Sequence, residues 1–147
     1  MDIAAWRRFV DGLELRHFSG AELAAYASRT RNGVRNDPPP RNLWNNLVPT
    51  LQVADLLRDA TGTPFAIWSA YRSPLYNGQV GGAVRSLHLR NNALDLHPVG
   101  ASPQTLFNLL KKWRDAGVFV GGLGIYTSFV HLDTRGILGM ENATWEG

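Results

Sequence analysis

Three consecutive prolines, Pro38 to Pro40, are the strongest single constraint on how this chain folds. A proline ring fixes φ at about −65° and removes a backbone donor, so neither a helix nor a central strand runs through RNDPPPRN. The stretch is an extended connection between a helical N-terminal part and a mixed remainder. Upstream, Ser19 followed by Glu22 forms a capping box at the head of GAELAAYASRT, which predicts a helix ending near Asn32-Gly33. Downstream, Asn42 is expected to cap a longer helical segment with Leu43, Leu47, Leu51, Leu56 and Leu57 on its apolar side, and Pro49 is placed to kink or split it.

After Gly62 the run PFAIWSAY reads as a short buried strand, with Trp68 in the core. Arg72 to Gly82 is dense in turn formers and predicts a long loop, a kind of segment more often functional than idle. NALDLHP resumes as a strand. Ser102-Pro103 then opens a helix that turns Leu106, Leu109, Leu110 and Trp113 inward and ends near Gly117. GLGIY and FVHLD, joined at Thr127-Ser128, predict an antiparallel hairpin, with Tyr126 assigned to the core. The expected fold class is α+β: a small antiparallel sheet with helices packed on one face, in one domain spanning 1–147.

Composition narrows the chemistry. There is no cysteine, so disulfides, thiolate metal sites and cysteine nucleophiles are excluded, and any metal must be held by His and carboxylate. The opening MDIAAWRRFVDGLEL carries acids and arginines where an export signal needs an unbroken apolar core, so secretion by the standard route is not expected. No stretch is apolar enough to cross a membrane. The net charge of +3 gives mild attraction to polyanions, but the arginines (Arg7, Arg8, Arg16, Arg29, Arg31, Arg35, Arg41) are scattered and read as solvated surface. Nucleic acid and membrane are therefore not expected partners, and a monomer is expected. His17 lies without partner ligands, and the Asn142-Ala143-Thr144 sequon reads as chance.

Two segments carry a possible metal site. In SLHLRNNALD, His88 and Asp95 are separated by Asn91-Asn92, residues suited to a tight turn with positive φ, so the chain can double back and bring them together. In FVHLD the alternation puts Phe129, His131 and Asp133 on one strand face, where His131 can join the pair. Two imidazoles and one carboxylate leave zinc a fourth position, as catalytic sites do. Spacing alone is weak evidence, since a lone histidine on a strand is more often a hydrogen-bonded structural residue.

The chain resembles the M15 family of zinc D-alanyl-D-alanine carboxypeptidases and murein endopeptidases, especially its short phage-associated branch. The resemblance runs from about Phe18 to Gly136 and is carried by Pro38-Pro39, SAYRSPLYN (Ser69 to Asn77), VGGA (Val80 to Ala83), SLHLRNNALD (Ser86 to Asp95) and GGLGIYTSFVHLDTRG (Gly121 to Gly136). It implies a Hedgehog/D-Ala-D-Ala-peptidase-like fold, with Zn2+ held by His88, Asp95 and His131. It also implies that Arg72 binds substrate and stabilises an oxyanion, with Ser86, Tyr71, Tyr76 and Asn77 beside it in the cleft. Two positions depart from the family pattern: Asn91 replaces a glycine, and Ser128 stands where better-known members carry a catalytic acid. The general base must then lie elsewhere, with Asp133 first and His97 second as candidates; each also has a structural reading, Asp133 as a partner that orients a histidine or pairs with Arg135.

The implied activity is hydrolysis of a peptide bond in the peptidoglycan stem peptide. The expected setting is an enzyme that stays cytoplasmic until released at lysis, or that travels on a virion. The competing expectation is a metal-binding module of the same fold that has lost catalysis, which Ser128 favours.

Overall fold

The computed structural model describes residues 2–147. Helix α1 (Ile3–Gly12) starts where the Asp2 carboxylate accepts the Ala5 amide at 3.1 Å, and α2 (Gly20–Ala27) starts at the Ser19/Glu22 capping box. The second helix stops at Ala27, well short of Asn32. Asn32 and Gly33 both have positive φ, 51° and 79°, and together make the turn between two short antiparallel strands, β1 (Thr30–Arg31) and β2 (Val34–Arg35). Asn-Gly is the dipeptide that fits both left-handed positions of a hairpin turn, which is why it reverses a strand here instead of ending a helix.

The triple proline is extended as expected, but Asn42 caps nothing: a 3-10 turn, Arg41–Leu47, follows Pro40 directly. Helix α3 (Val48–Thr61) begins with Pro49 in its first turn, where a missing amide costs nothing, so this proline initiates a helix and bends none. Leu47, Leu51 and Leu57 are buried, whereas Leu56 is 52% exposed and lies off the apolar face. The predicted loop after Arg72 contains helix α4 (Pro74–Gln79), started by Ser73, whose hydroxyl accepts the Tyr76 amide at 3.2 Å. Helix α5 (Pro103–Asp115) follows the Ser102-Pro103 cap as predicted.

Five strands make the main sheet: β3 (Phe65–Ser69), β4 (Ala93–Pro98), β5 (Gly122–Ile125), β6 (Val130–Asp133) and β7 (Ala143–Glu146), in the order β3-β4-β6-β5-β7. The first four are antiparallel, and β7, which the sequence pattern does not announce, adds in parallel to β5 at the edge. The α+β architecture is as expected.

Register decides what each face does. Leu94, Leu132 and Leu123 lie side by side across β4, β6 and β5 and are fully buried, as are Leu96 and Val130 one step along. They join Trp6, Leu23, Leu51, Leu106 and Leu110 from the helices in one apolar cluster. Each such side chain contributes roughly 1.5–3 kcal/mol on burial, which holds the sheet rigidly against the helical layer. On the opposite face the rung reads Ser69, Asp95, His131, Gly124 and Trp145. A bulge between Ile67 and Ser69 brings Ser69 opposite Asp95 and leaves Trp68 unpaired and 41% exposed, outside the core. Among the described residues no helix is long and apolar enough to cross a membrane.

Candidate metal centre

Asp95 and His131 are cross-strand partners on β4 and β6, so the sheet itself sets their separation. His88 arrives from a 3-10 turn, Leu87–Arg90, whose amide at His88 is accepted by the Ser86 hydroxyl at 3.2 Å. The chain reverses at Asn91, the left-handed residue (φ 52°), so asparagine does here what a glycine would do. Asn91 and Asn92 donate their side-chain amides to the carbonyls of Leu43 and Asn46, both at 2.9 Å, and fasten the turn to the segment that follows the prolines. The result places one ligand atom from each of His88, Asp95 and His131 within 4.8 Å of the others, all three residues being buried.

Hydrogen bonds behind the rings decide which nitrogen faces the cluster. His88 donates Nδ1–H to the Ala70 carbonyl at 2.7 Å, leaving Nε2 at 3.2 Å from Asp95 Oδ2. His131 donates Nε2–H to Asp133 Oδ2 at 2.7 Å, leaving Nδ1 at 3.3 Å from Asp95 Oδ1, a buried oxygen with no hydrogen-bond donor of its own. Two imidazole lone pairs thus converge on a carboxylate, and acceptors so placed repel unless a cation lies between them. The residues fit a divalent metal, and their donor set leaves a coordination position free.

The charge balance agrees. Burial lowers the His88 pKa and keeps that ring neutral, the form that binds metal. For Asp95, burial pushes the pKa up, but the neighbouring His88 and His131 outweigh it and hold the carboxyl well below its usual range. Burial would lower the His131 pKa, yet its hydrogen bonds to Asp133 and Asp95 outweigh this and raise it. Asp133 is fully buried with every acceptor position engaged: Oδ1 takes Gly122 N (2.8 Å), Arg135 N (3.1 Å) and Arg135 Nε (3.0 Å), and Oδ2 takes His131 and Arg135 Nη2 (2.9 Å). Burial opposes ionisation here too, but His131 and Arg135 prevail and hold its carboxyl low.

The three ligands border an open cavity of about 540 Å3, walled also by Arg72, Ser86, Tyr126, Phe129, Arg135 and Trp145. Arg72 is pinned by Nε to Ser69 Oγ (3.0 Å) and Nη1 to Asn77 Oδ1 (3.3 Å), with Nη2 3.4 Å from Asp95. Asn77 is thus a brace for Arg72, and it lies behind the lining. Tyr76 reaches a neighbouring cavity, whereas Tyr71 is buried and lines neither. Asp133 and His97 also lie outside both linings; His97 bonds the Ser128 carbonyl at 2.6 Å and stacks on Trp68 at 3.9 Å. His17 pairs with Asp59 at 2.6 Å, remote in sequence from any ligand.

Tyr126, assigned to the core from sequence, is half-buried on the cavity wall and accepts from Trp145 Nε1 at 2.9 Å. Arg135 pairs with Asp133 at 2.9 Å, the partnership the sequence offered, whereas no sequence signal points to Trp145; only the β7 pairing brings it to within 4.8 Å of the His131 ring. Gly124 makes room for it, since a Cβ there would strike the indole.

A comparison with curated proteins gives no match. The family model described as Peptidase M15 matches residues 16–133, a span that holds all three candidate ligands together with Arg72, Ser86 and Asp133. The M15 peptidases are metal-dependent, in keeping with the cluster at His88, Asp95 and His131. The chain belongs to the M15 family of peptidases.

Proposed function

We propose that the protein is a zinc peptidase that hydrolyses a peptide bond of bacterial peptidoglycan, as a D-Ala-D-Ala carboxypeptidase or a murein endopeptidase. The observation that carries this reading is the convergence of His88 Nε2, His131 Nδ1 and the Asp95 carboxylate at the wall of an open cavity. Two imidazoles and a carboxylate suit zinc, with His88, Asp95 and His131 as its ligands. Bound there, zinc supplies Lewis-acid polarisation of a substrate carbonyl and water acidified toward a pKa of ~7.

The remaining residues divide the other tasks. Arg72, held from two sides, presents a planar guanidinium to the substrate carbonyl and to the charge that develops on it. Asp133 orients the His131 ring; a carboxylate this well satisfied, with its pKa held low, is a poor proton acceptor. Ser86 shapes the His88 turn and contributes a hydroxyl to the cavity wall. The net charge of +3 favours approach to an acidic wall.

One observation favours a second reading, a zinc-held module that binds the wall or a protein partner without cutting. Among the described residues lining the cavity, Asp95 is the only carboxylate, and Ser128 is exposed outside it. Loss of turbidity of purified cell wall, measured with and without chelator and after zinc is restored, separates the two. Mass analysis of the released muropeptides names the bond, and a wall left intact by metal-replete protein rejects the peptidase.

A further inference from the structure

Two residues along from the rung of Asp95, His131 and Gly124, the same face of the sheet carries His97 on β4, Phe129 just before β6 and Tyr126 just after β5. Positions two apart on a strand share a face and lie about 7 Å from each other. Pairing continues past the strand ends to hold this row: the Tyr126 amide donates to the Phe129 carbonyl at 3.0 Å, and His97 Nδ1 donates to the Ser128 carbonyl at 2.6 Å. The β3 bulge adds Trp68 at one end, and β7 adds Trp145 at the other. Every strand of the main sheet thus brings one aromatic ring to the face that bears the candidate ligands.

The rings touch in sequence. Trp68 stacks on His97 at 3.9 Å with planes 11° apart, and Tyr126 stacks on Phe129 at 4.3 Å and 8°. Trp68 and Phe129 are 6.0 Å apart, and Trp145 is tied to the Tyr126 hydroxyl. The ridge borders the metal cavity at Phe129, Tyr126 and Trp145, and a neighbouring cavity of about 230 Å3 at Trp68 and Phe129. Trp68 is 41% exposed, Tyr126 and Phe129 are half-buried, and the Thr127 and Ser128 hydroxyl groups stand exposed beside them. Rings already fixed by stacking lose little freedom when a ligand settles on them.

The occupant follows from this mixture of flat apolar rings and hydroxyls. An aromatic face is the negative side of the ring quadrupole and attracts the weakly positive C–H bonds on the flat side of a pyranose. The hydroxyl and acetamido groups of an amino sugar project from its rim, where they meet water and polar side chains. A stem peptide offers methyl groups and charges but no flat apolar surface of ring size, whereas the amino sugars that carry the stem do. We infer that the ridge of Trp68, Phe129 and Tyr126 binds the glycan strand of peptidoglycan, holding an amino sugar beside the metal centre while the attached peptide enters the cleft. This rests on the peptidase reading above and makes the protein selective for stems still joined to sugar.

The test compares one stem peptide with the same peptide carrying its amino-sugar disaccharide, both offered to metal-replete protein. The sugar lowers the wild-type KM by about tenfold, the scale of one good aromatic contact. Trp68→Leu keeps an apolar side chain without a flat ring and brings the ratio close to one; Trp68→Phe keeps part of the preference. Both variants melt with the wild type, because the ring is exposed. Metal-free protein titrated calorimetrically with soluble glycan strands stripped of peptide binds them, and Trp68→Leu weakens that binding by a similar factor. Equal KM values for the two substrates in the wild type, or a sugar preference that Trp68→Leu retains in full, overturns the ridge. If neither substrate is cut, the peptidase reading fails separately and the strand titration decides: binding that Trp68→Leu weakens supports the ridge, and no binding, or binding that it leaves unchanged, overturns it.

Discussion

Replacing Asp133 by asparagine changes no atom that touches the proposed metal and almost no volume, yet it reverses one hydrogen bond. In the wild type, Oδ2 accepts His131 Nε2–H at 2.7 Å and so leaves Nδ1 bare on the Asp95 side. Oδ1 accepts from Gly122 N, Arg135 N and Arg135 Nε, so an asparagine keeps its carbonyl oxygen on that side and must point its amide at His131 and at Arg135 Nη2. An amide N–H can only donate to His131, which shifts the ring proton to Nδ1 and blocks the ligand lone pair. Loss of an outer carboxylate behind a metal-bound histidine costs about 10–100-fold in metal affinity, or ~1.4–2.7 kcal/mol. Arg135 keeps most of its contacts, so the fold should survive, with the Arg135 charge, only partly exposed, accounting for a modest fall in melting temperature. Zinc affinity by chelator competition, together with nitrogen-detected NMR of the His131 tautomer, reads both effects. A folded Asp133→Asn variant that binds zinc as tightly as wild type refutes the reasoning.

Metal affinity should also fall with pH, because the raised His131 pKa means a proton must leave before the metal enters; above that pKa affinity is flat, and below it each pH unit costs about tenfold per proton displaced, measurable by the same competition between pH 5 and 8. Gly124→Ala places a methyl group against the Trp145 indole and should destabilise by about 1–3 kcal/mol, with loss of the Trp145 near-ultraviolet signal; an unchanged thermal unfolding curve would count against the β5–β7 packing described. Asn36→Ala leaves the Ser73 amide and the Tyr71 carbonyl without their partner and should cost about 1–3 kcal/mol per group in denaturant unfolding, with Arg72 function impaired through its loop.

Local signals were read well where one residue type has one physical use. The Ser19/Glu22 box, the Ser102-Pro103 cap and the alternation in FVHLD each appear where expected. They failed where the same dipeptide serves two structures. Asn32-Gly33, which suits the end of a helix, instead turns a hairpin, and Pro49, which could break a helix, begins one. Trp68 and Tyr126, expected in the core, are held partly in solvent by a bulge and by the cavity wall.

By itself the sequence determined the α+β class and the absence of thiol chemistry, because those follow from periodicity and composition, and its resemblance to a known family singled out His88, Asp95 and His131, which spacing alone left open. Only the tertiary structure decided which nitrogen of each histidine faces Asp95, that Asp133 stands behind His131, that Trp145 covers it, and that Trp68, Phe129 and Tyr126 form one ridge beside the cleft. These depend on strand register and on hydrogen bonds between residues far apart in the chain, such as Ala70 with His88 or Asn36 with Ser73. No local pattern encodes them, since each partner is chosen by what the packed sheet brings within about 3 Å.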